Sequence, residues 1–214
     1  MTLTVLKPEL EAGLVKLGLS LSDAQVNLLI EYVALLQKWN KVYNLTAIRD
    51  PKEMLVKHLL DSLAVVPHIT GQRIIDVGTG GGVPGIPLAI CFPEKTVDLL
   101  DSNSKKTRFL IQAKAELGLA NSQVIHDRVE NYQPEILYDG VISRAFASMQ
   151  DMLHWTGHLL ADDGIWWAMK AQQDFEDLTN LPGLVVIEET ISLEVPGLDA
   201  ERILIKALKT KQPS

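Results

Sequence analysis

Four glycines stand within five positions, Gly78, Gly80, Gly81 and Gly82, inside the stretch Asp76-Val-Gly-Thr-Gly-Gly-Gly-Val-Pro-Gly-Ile-Pro-Leu88. Glycine weakens the interior of a helix or strand, so such a cluster demands a turn. The run before it, Arg73–Val77, is apolar and strand-like. Pro84 and Pro87 after it lack N–H donors and suit the first turn of a helix, which is expected to begin at about Val83–Gly85. A strand that passes through a glycine-rich turn into a helix lets the backbone come close to a bound ligand. The bland alternative is a tight strand–helix turn with no ligand.

The rest of the chain fits that reading. Strand-like runs are expected at Thr96–Asp101, Gln123–His126, Gly140–Ser143, Gly164–Met169, Leu184–Leu193 and Arg202–Leu208. Helical segments are expected at Pro84–Cys91, Lys105–Leu117 and Met149–Leu160, with Gly118 as the residue after the second of these. Strand–helix alternation implies parallel strands and a doubly wound α/β sheet. The last two strands, with no long helix between them, imply an antiparallel hairpin on one edge. Residues 1–70 read as an N-terminal helical extension, and residues 71–214 as the α/β domain of one compact unit. In the extension, Ser22 and Gln25 fit a capping box, followed by Val26, Leu29, Ile30, Val33 and Leu36 at helical spacing. A second helix is expected over Pro51–Val66, ended by Pro67. The tail Lys209–Ser214 is expected to fray.

Composition limits the function. Twenty Lys and Arg against 27 Asp and Glu leave a net charge of −7, which excludes a uniformly basic coat and leaves room for a local basic face. The single cysteine, Cys91, excludes a disulfide framework or a cysteine-built metal site within one chain. Neither a signal peptide nor a membrane span is expected, and the redox context reads as cytoplasmic.

Gly80, Gly82 and Gly85 satisfy G-x-G-x-x-G, a pattern shared by dinucleotide and S-adenosylmethionine sites. Asp76 and Asp101 end the first two strands of the sheet, where such folds bind ligands. Asp101 can accept both ribose hydroxyls of either cofactor. Asp76, directly before the glycines, favours a cationic sulfonium and ammonium over a diphosphate.

Several stretches together resemble one family: Asp76–Leu88, Asp101-Ser-Asn-Ser-Lys-Lys-Thr-Arg-Phe-Leu110, Asp139-Gly-Val-Ile-Ser-Arg-Ala-Phe-Ala-Ser148, Tyr43-Asn-Leu-Thr46, His58-Leu-Leu-Asp-Ser-Leu63, Ala168-Met-Lys170 and Glu201-Arg202. The family is RsmG, also called GidB, and the resemblance runs from about residue 25 to 208. It implies a class I S-adenosylmethionine methyltransferase fold and methyl transfer to N7 of a guanine in 16S ribosomal RNA, within the small subunit or an assembly intermediate. It also implies cofactor contacts at Gly78, Val83, Val129, Glu130 and Arg144. Ala171 stands where the family often has glycine, and Ile203 where histidine is common.

Guanine N7 has a lone pair and no proton, so the reaction needs alignment and electrostatics rather than a general base. Arg144, after the strand Gly140–Ser143, can hold phosphate, the O6 side of guanine or the cofactor carboxylate; its bland alternative is a surface ion pair. Lys170 can contact phosphate. Asn44 and Thr46 either cap the second helix or lie over the cofactor. RNA contacts are expected among Lys38, Lys41, Arg49, Lys52, Lys105, Lys106 and Arg108. Trp39 and Tyr43 suit the core or base stacking. His154 and His158 lack a third ligand, so no metal is expected. His58 and Asp61, three apart, suggest a local hydrogen bond. Cys91, Trp166 and Trp167 read as packing, and Asp162-Asp163-Gly164 as a turn before a strand. The rival functions are a methyltransferase acting on another RNA or a protein, an NAD-dependent oxidoreductase, and a non-catalytic nucleotide-binding module.

Overall fold

A computed structural model describes residues 3–171, 181 and 185–210. A 3-10 turn (Leu3–Leu6) leads into α1 (Lys7–Lys16) and α2 (Asp23–Tyr43). The next helix changes winding along its length, from α3 (Pro51–Met54) through a π-helical stretch (Leu55–Leu60) to α4 (Asp61–Leu63). A 3-10 turn at Val66–His68 follows, with Pro67 inside it rather than at a helix end. The sheet elements are β1 (Arg73–Val77), β2 (Thr96–Asp101), β3 (Val124–His126), β4 (Tyr138–Ser143), β5 (Leu160–Ala171), β6 (Val185–Leu193) and β7 (Arg202–Lys209). Among them lie α5 (Gly85–Cys91), α6 (Ser104–Leu117) and α7 (Met149–Thr156).

Among the described residues the seven strands form one sheet, in the order β3-β2-β1-β4-β5-β7-β6. The strands β3, β2, β1, β4 and β5 are parallel, and β7 pairs antiparallel with both β5 and β6. Strand order reverses between β1 and β4, so the carboxyl ends of these two strands open a crevice where ligands bind in such sheets. Alternate residues of one strand face opposite layers. Ile74, Leu99, Ile142, Trp167 and Leu204 pack in one cluster with residues of α1, α2, α5 and α6. Ile75, Leu100, Val141, Trp166 and Ile205 pack on the other side with Met149, Met152 and Leu153 of α7.

Local signals set the helix ends. Ser22 accepts from the Gln25 amide at 3.3 Å while the Gln25 side chain accepts from the Ser22 amide at 3.0 Å, the expected capping box. Asn103 caps α6 by accepting from the Lys105 and Lys106 amides, and Gly118 closes that helix at φ 65°.

Four expectations need correction. Neither Asn44 nor Thr46 caps the second helix; Asp50 does, accepting from the Lys52 and Glu53 amides, and Asn44 instead ends α2 at φ 51°. Asp162-Asp163-Gly164 lies inside β5 as a bulge, with Asp163 at φ 62° and the pairing with β4 shifted between Tyr138 and Gly140. Helix α7 ends at Thr156 because Leu160 already belongs to β5. Lys209 does not fray: it ends β7 and its Nζ donates to the carbonyls of Gly157 and Leu160 at 3.1 and 2.7 Å. The rest of that tail from residue 211, and the first residue of the strand expected at Leu184–Leu193, lie outside the described residues.

Candidate active site

The glycine turn is wired through its own backbone. The amides of Gly78 and Thr79 donate to the Leu100 carbonyl at 2.8 and 3.2 Å, which ties the turn to β2. The Gly80 amide donates to Asp101 Oδ2 at 2.9 Å, and Asp101 Oδ1 accepts from the Asn103 amide at 2.8 Å. Asp76 is fully buried, and its Oδ2 accepts from Thr79 Oγ1 at 2.6 Å and from the Gly85 amide at 2.8 Å. Its Oδ1 is buried without a hydrogen-bond partner. Burial pushes the Asp76 carboxyl up to about 7, against the pull of those two hydrogen bonds. From the N-terminal helices, the Tyr32 hydroxyl donates to the Gly81 carbonyl at 2.7 Å.

The glycines have different jobs. A Cβ on Gly82 would lie 2.5 Å from Ile86, and one on Gly85 would lie 2.2 Å from Leu99. These two let the following helix pack down on the sheet. Gly78, at φ 73°, lies against the turn after β4, where a Cβ would come within 2.6 Å of Ala145.

Three cavities adjoin one another along this edge. One of about 180 Å³ is lined by Gly78–Gly81, Val83, Leu36, Leu45, Thr46, His58, Arg144 and Ala145. A second, of about 490 Å³, is lined by Val77, Gly78, Leu100, Asp101, Ser102, Lys106, Asp127, Arg128, Val129, Glu130, Ala145 and Phe146. The third, of about 610 Å³, is lined by Asp61, Arg144, Phe146, Ala147, Met169, Lys170, Ala171 and Arg202. The turn Arg144-Ala145-Phe146 after β4 is the wall they share.

Most of the expected cofactor residues thus converge. Gly78, Gly80, Val83, Asp101, Val129, Glu130 and Arg144 line the first two cavities. Asp76 and Gly82 stand behind the turn and shape it without lining these cavities. Asn44 lines none of the three cavities; its side chain accepts from Arg49 at 3.4 Å. Arg144 is half-buried and in an ion pair with a buried partner: its Nη1 donates to Asp61 Oδ2 at 3.0 Å. His58 and Asp61 bond to Arg144 rather than to one another. Lys170, 7% exposed, donates to the carbonyl of Ala147 at 2.6 Å and lines the third cavity. Ile203 is buried and pairs with Lys170 across β5 and β7.

Lys38, Lys41, Lys105 and Arg108 are exposed. Lys106 instead leans over the second cavity, with its Nζ 3.7 Å from Asp101 Oδ2. Trp39 and Tyr43 stack on one another at 5.4 Å between ring centroids and pack against the core, the first of the two expected readings. Cys91 is buried, and burial pushes its thiol up to about 12. His158 Nε2 lies 3.0 Å from the Tyr132 carbonyl, and His154 packs on Trp155. Among the described residues there is no group of three metal-ligating side chains, and no helix is long and apolar enough to cross a membrane. Sequence reasoning missed Asp61, His58, Phe146 and Arg202 as cavity walls. The only signal for them was membership of stretches quoted for the family resemblance.

The donor set distinguishes the two cofactors that the glycine pattern admits. A diphosphate wants free amides and positive charge. Here the Gly78, Thr79 and Gly80 amides are spent on Leu100 and Asp101, and two buried carboxylates flank the turn. That environment suits a cationic sulfonium, and the second cavity offers a carboxylate for ribose hydroxyls and Leu100 and Val129 for an adenine ring.

The architecture is that of the class I S-adenosylmethionine methyltransferases. The chain has the same fold as a SAM-dependent methyltransferase from Aquifex aeolicus (TM-score 0.57, 16% identity, covering 82% of this chain and 98% of that one). It also matches the O-methyltransferase TomG from Streptomyces achromogenes, solved with SAM (TM-score 0.55, 16% identity, 85% and 90% covered). At the sequence level the family model described as rRNA small subunit methyltransferase G matches residues 25–205, and the chain belongs to that family. The protein named "Ribosomal RNA small subunit methyltransferase G" from Hydrogenovibrio crunogenus is 62% identical over 203 residues, 95% of this chain and 94% of the relative. The protein of the same name from Saccharophagus degradans is 55% identical over 188 residues, covering 88% and 84%.

Proposed function

We propose that this chain transfers a methyl group from S-adenosylmethionine to N7 of a guanine in 16S ribosomal RNA. The observation that carries the reading is the shared wall: Arg144 borders both the glycine-turn cavity and the third, cation-lined cavity. S-adenosylmethionine, when bound, supplies a methyl group on a cationic sulfonium. Asp101 would accept from its ribose hydroxyls in the second cavity, where Val129 and Glu130 would border the adenine. The glycine turn would hold the amino-acid portion in the first cavity, with Arg144 there to pair with its carboxylate. Asp76 acts through the turn it braces.

The third cavity receives the flipped guanine and its phosphate. Lys170 and Arg202 supply the positive charge there, and Phe146 an aromatic face. The attacking nitrogen has no proton to lose, so the chain needs no base at that atom. The exposed Lys105 and Arg108 extend the basic surface along α6, and Lys38 and Lys41 along α2. Asn44, away from the three cavities, acts at the end of α2 by holding Arg49.

The test is incubation of the purified protein with methyl-labelled S-adenosylmethionine and small ribosomal subunits from a strain lacking this gene. Label is expected in 16S ribosomal RNA and not in subunits that already carry the modification. Absence of label with S-adenosylmethionine still bound would remove rRNA as the acceptor. Binding of NAD in place of S-adenosylmethionine would remove the methyltransferase reading itself.

A further inference from the structure

Arg144 does not owe its place to its own strand. Its guanidinium is received by the turn Lys57–Asp61 of the N-terminal extension. Nη1 donates to the Lys57 carbonyl at 3.2 Å and to Asp61 Oδ2 at 3.0 Å, and Nη2 lies 3.4 Å from His58 Nδ1. These groups come from a π-helical stretch and the residue that follows it; widened helical turns of this kind are frequent at functional sites.

Asp61 is the hub. Its side chain is 1% exposed, and its other oxygen, Oδ1, accepts from Arg202 Nε at 3.1 Å. One buried carboxylate therefore holds a guanidinium on each oxygen. Two guanidinium groups this close repel one another without it, and a buried charge is tolerated only with partners. On the other side of the ring, His58 Nε2 lies 2.8 Å from Thr46 Oγ1, and the Ile48 amide donates to that hydroxyl. Arg202 lines only the third of the three cavities, whereas Arg144 lines the first and the third.

We propose that Asp61, with His58 beside it, is the positioning residue that sets Arg144 between the cofactor and acceptor cavities and locks Arg202 to it. A single carboxylate then places both guanidinium groups. The inference rests on the reading of the cavities under Proposed function.

The test uses Asp61→Asn, Arg144→Gln, Arg202→Gln and the double variant D61N/R144Q. Its readouts are calorimetric affinity for S-adenosylmethionine and KM against kcat on unmodified small subunits. Denaturant unfolding of each variant, run beside the calorimetry, shows that the protein is folded under the assay conditions, so that a weaker affinity is not a loss of folded protein. R144Q and D61N are each expected to weaken S-adenosylmethionine about tenfold, and the double variant no further than R144Q, the non-additivity of residues that act as a unit. R202Q is expected to raise KM for the subunit and to leave the cofactor affinity within about twofold.

A D61N protein that binds S-adenosylmethionine as wild type does, while R144Q is weakened, overturns the proposal. Wild-type affinity in R144Q overturns the cavity reading, and the proposal with it. If D61N does not fold, Asp61→Glu, which displaces the carboxylate by one methylene, is read in the same way, and wild-type affinity there overturns the proposal.

Discussion

Asp76 shows how one side chain writes burial into a pH dependence. Its carboxyl has an ordinary value of 3.8 and is pushed to about 7 in the folded protein, chiefly by burial. Between those values the folded state holds a proton that the unfolded state has lost. Stability from this group is therefore complete at low pH, falls as pH rises from about 4 to about 7, and is flat above. Asp76→Asn removes that fall. The variant's melting temperature is expected to gain on wild type between pH 5 and pH 8 while its affinity for S-adenosylmethionine drops; parallel melting curves across that range would contradict the account. His58 acts with the opposite slope. Burial first, and the Arg144 charge second, push its ring down from 6.5 to about 4. The unfolded state then binds the extra proton in that window, so stability falls as pH falls from about 6.5 to about 4. His58→Gln is expected to flatten this acid limb in a pH series of thermal melts. Asp76 and Arg144 were legible in the sequence because each sits at the end of a strand. His58 and Asp61 were not, because their partner Arg144 is more than 80 residues away along the chain.

At the scale of elements, β1 and β2 have the bounds expected from sequence, Arg73–Val77 and Thr96–Asp101, because both faces of each strand are buried and apolar residues fill most of their positions. Strand β5 was misread at its start because the Asp163 bulge imitates a turn signal, and the π-helical stretch has no spacing of its own to distinguish it from an α-helix. Helix α1 was not delimited, having buried positions only at Leu10, Gly13 and Leu14. Two substitutions test the element contacts. A Cβ on Gly140 would lie 2.0 Å from the buried Trp167 ring, so Gly140→Ala is expected to cost about 1–3 kcal/mol in denaturant unfolding. Tyr32→Phe frees the Gly81 carbonyl that α2 holds against the turn. It is expected to weaken S-adenosylmethionine binding with little change in affinity for RNA. An unaltered cofactor affinity would show that the turn is held without α2.

At the scale of the whole molecule, the N-terminal helices and the sheet share one core. Leu29, Tyr32, Leu36, Leu59 and Leu63 pack in the same cluster as Ile74, Leu99 and Trp167. We propose that residues 1–70 and 71–214 fold as one cooperative unit, the extension serving as a wall of the site. Residues 71–214 expressed alone are then expected to lack a cooperative melt; a sharp transition in that fragment would show an independent domain. With a net charge of −7, RNA binding depends on the local cations, so affinity for the subunit is expected to fall steeply as salt rises.

The most direct test of the account is the position of the transferred methyl group. After transfer to unmodified small subunits, 16S ribosomal RNA is cleaved chemically at N7-alkylated guanines and the product is located by primer extension. The account predicts one new cleavage at a single guanine, dependent on S-adenosylmethionine and reduced in R144Q when S-adenosylmethionine is below saturation. Label on another atom, on several nucleotides or in the protein fraction would contradict it.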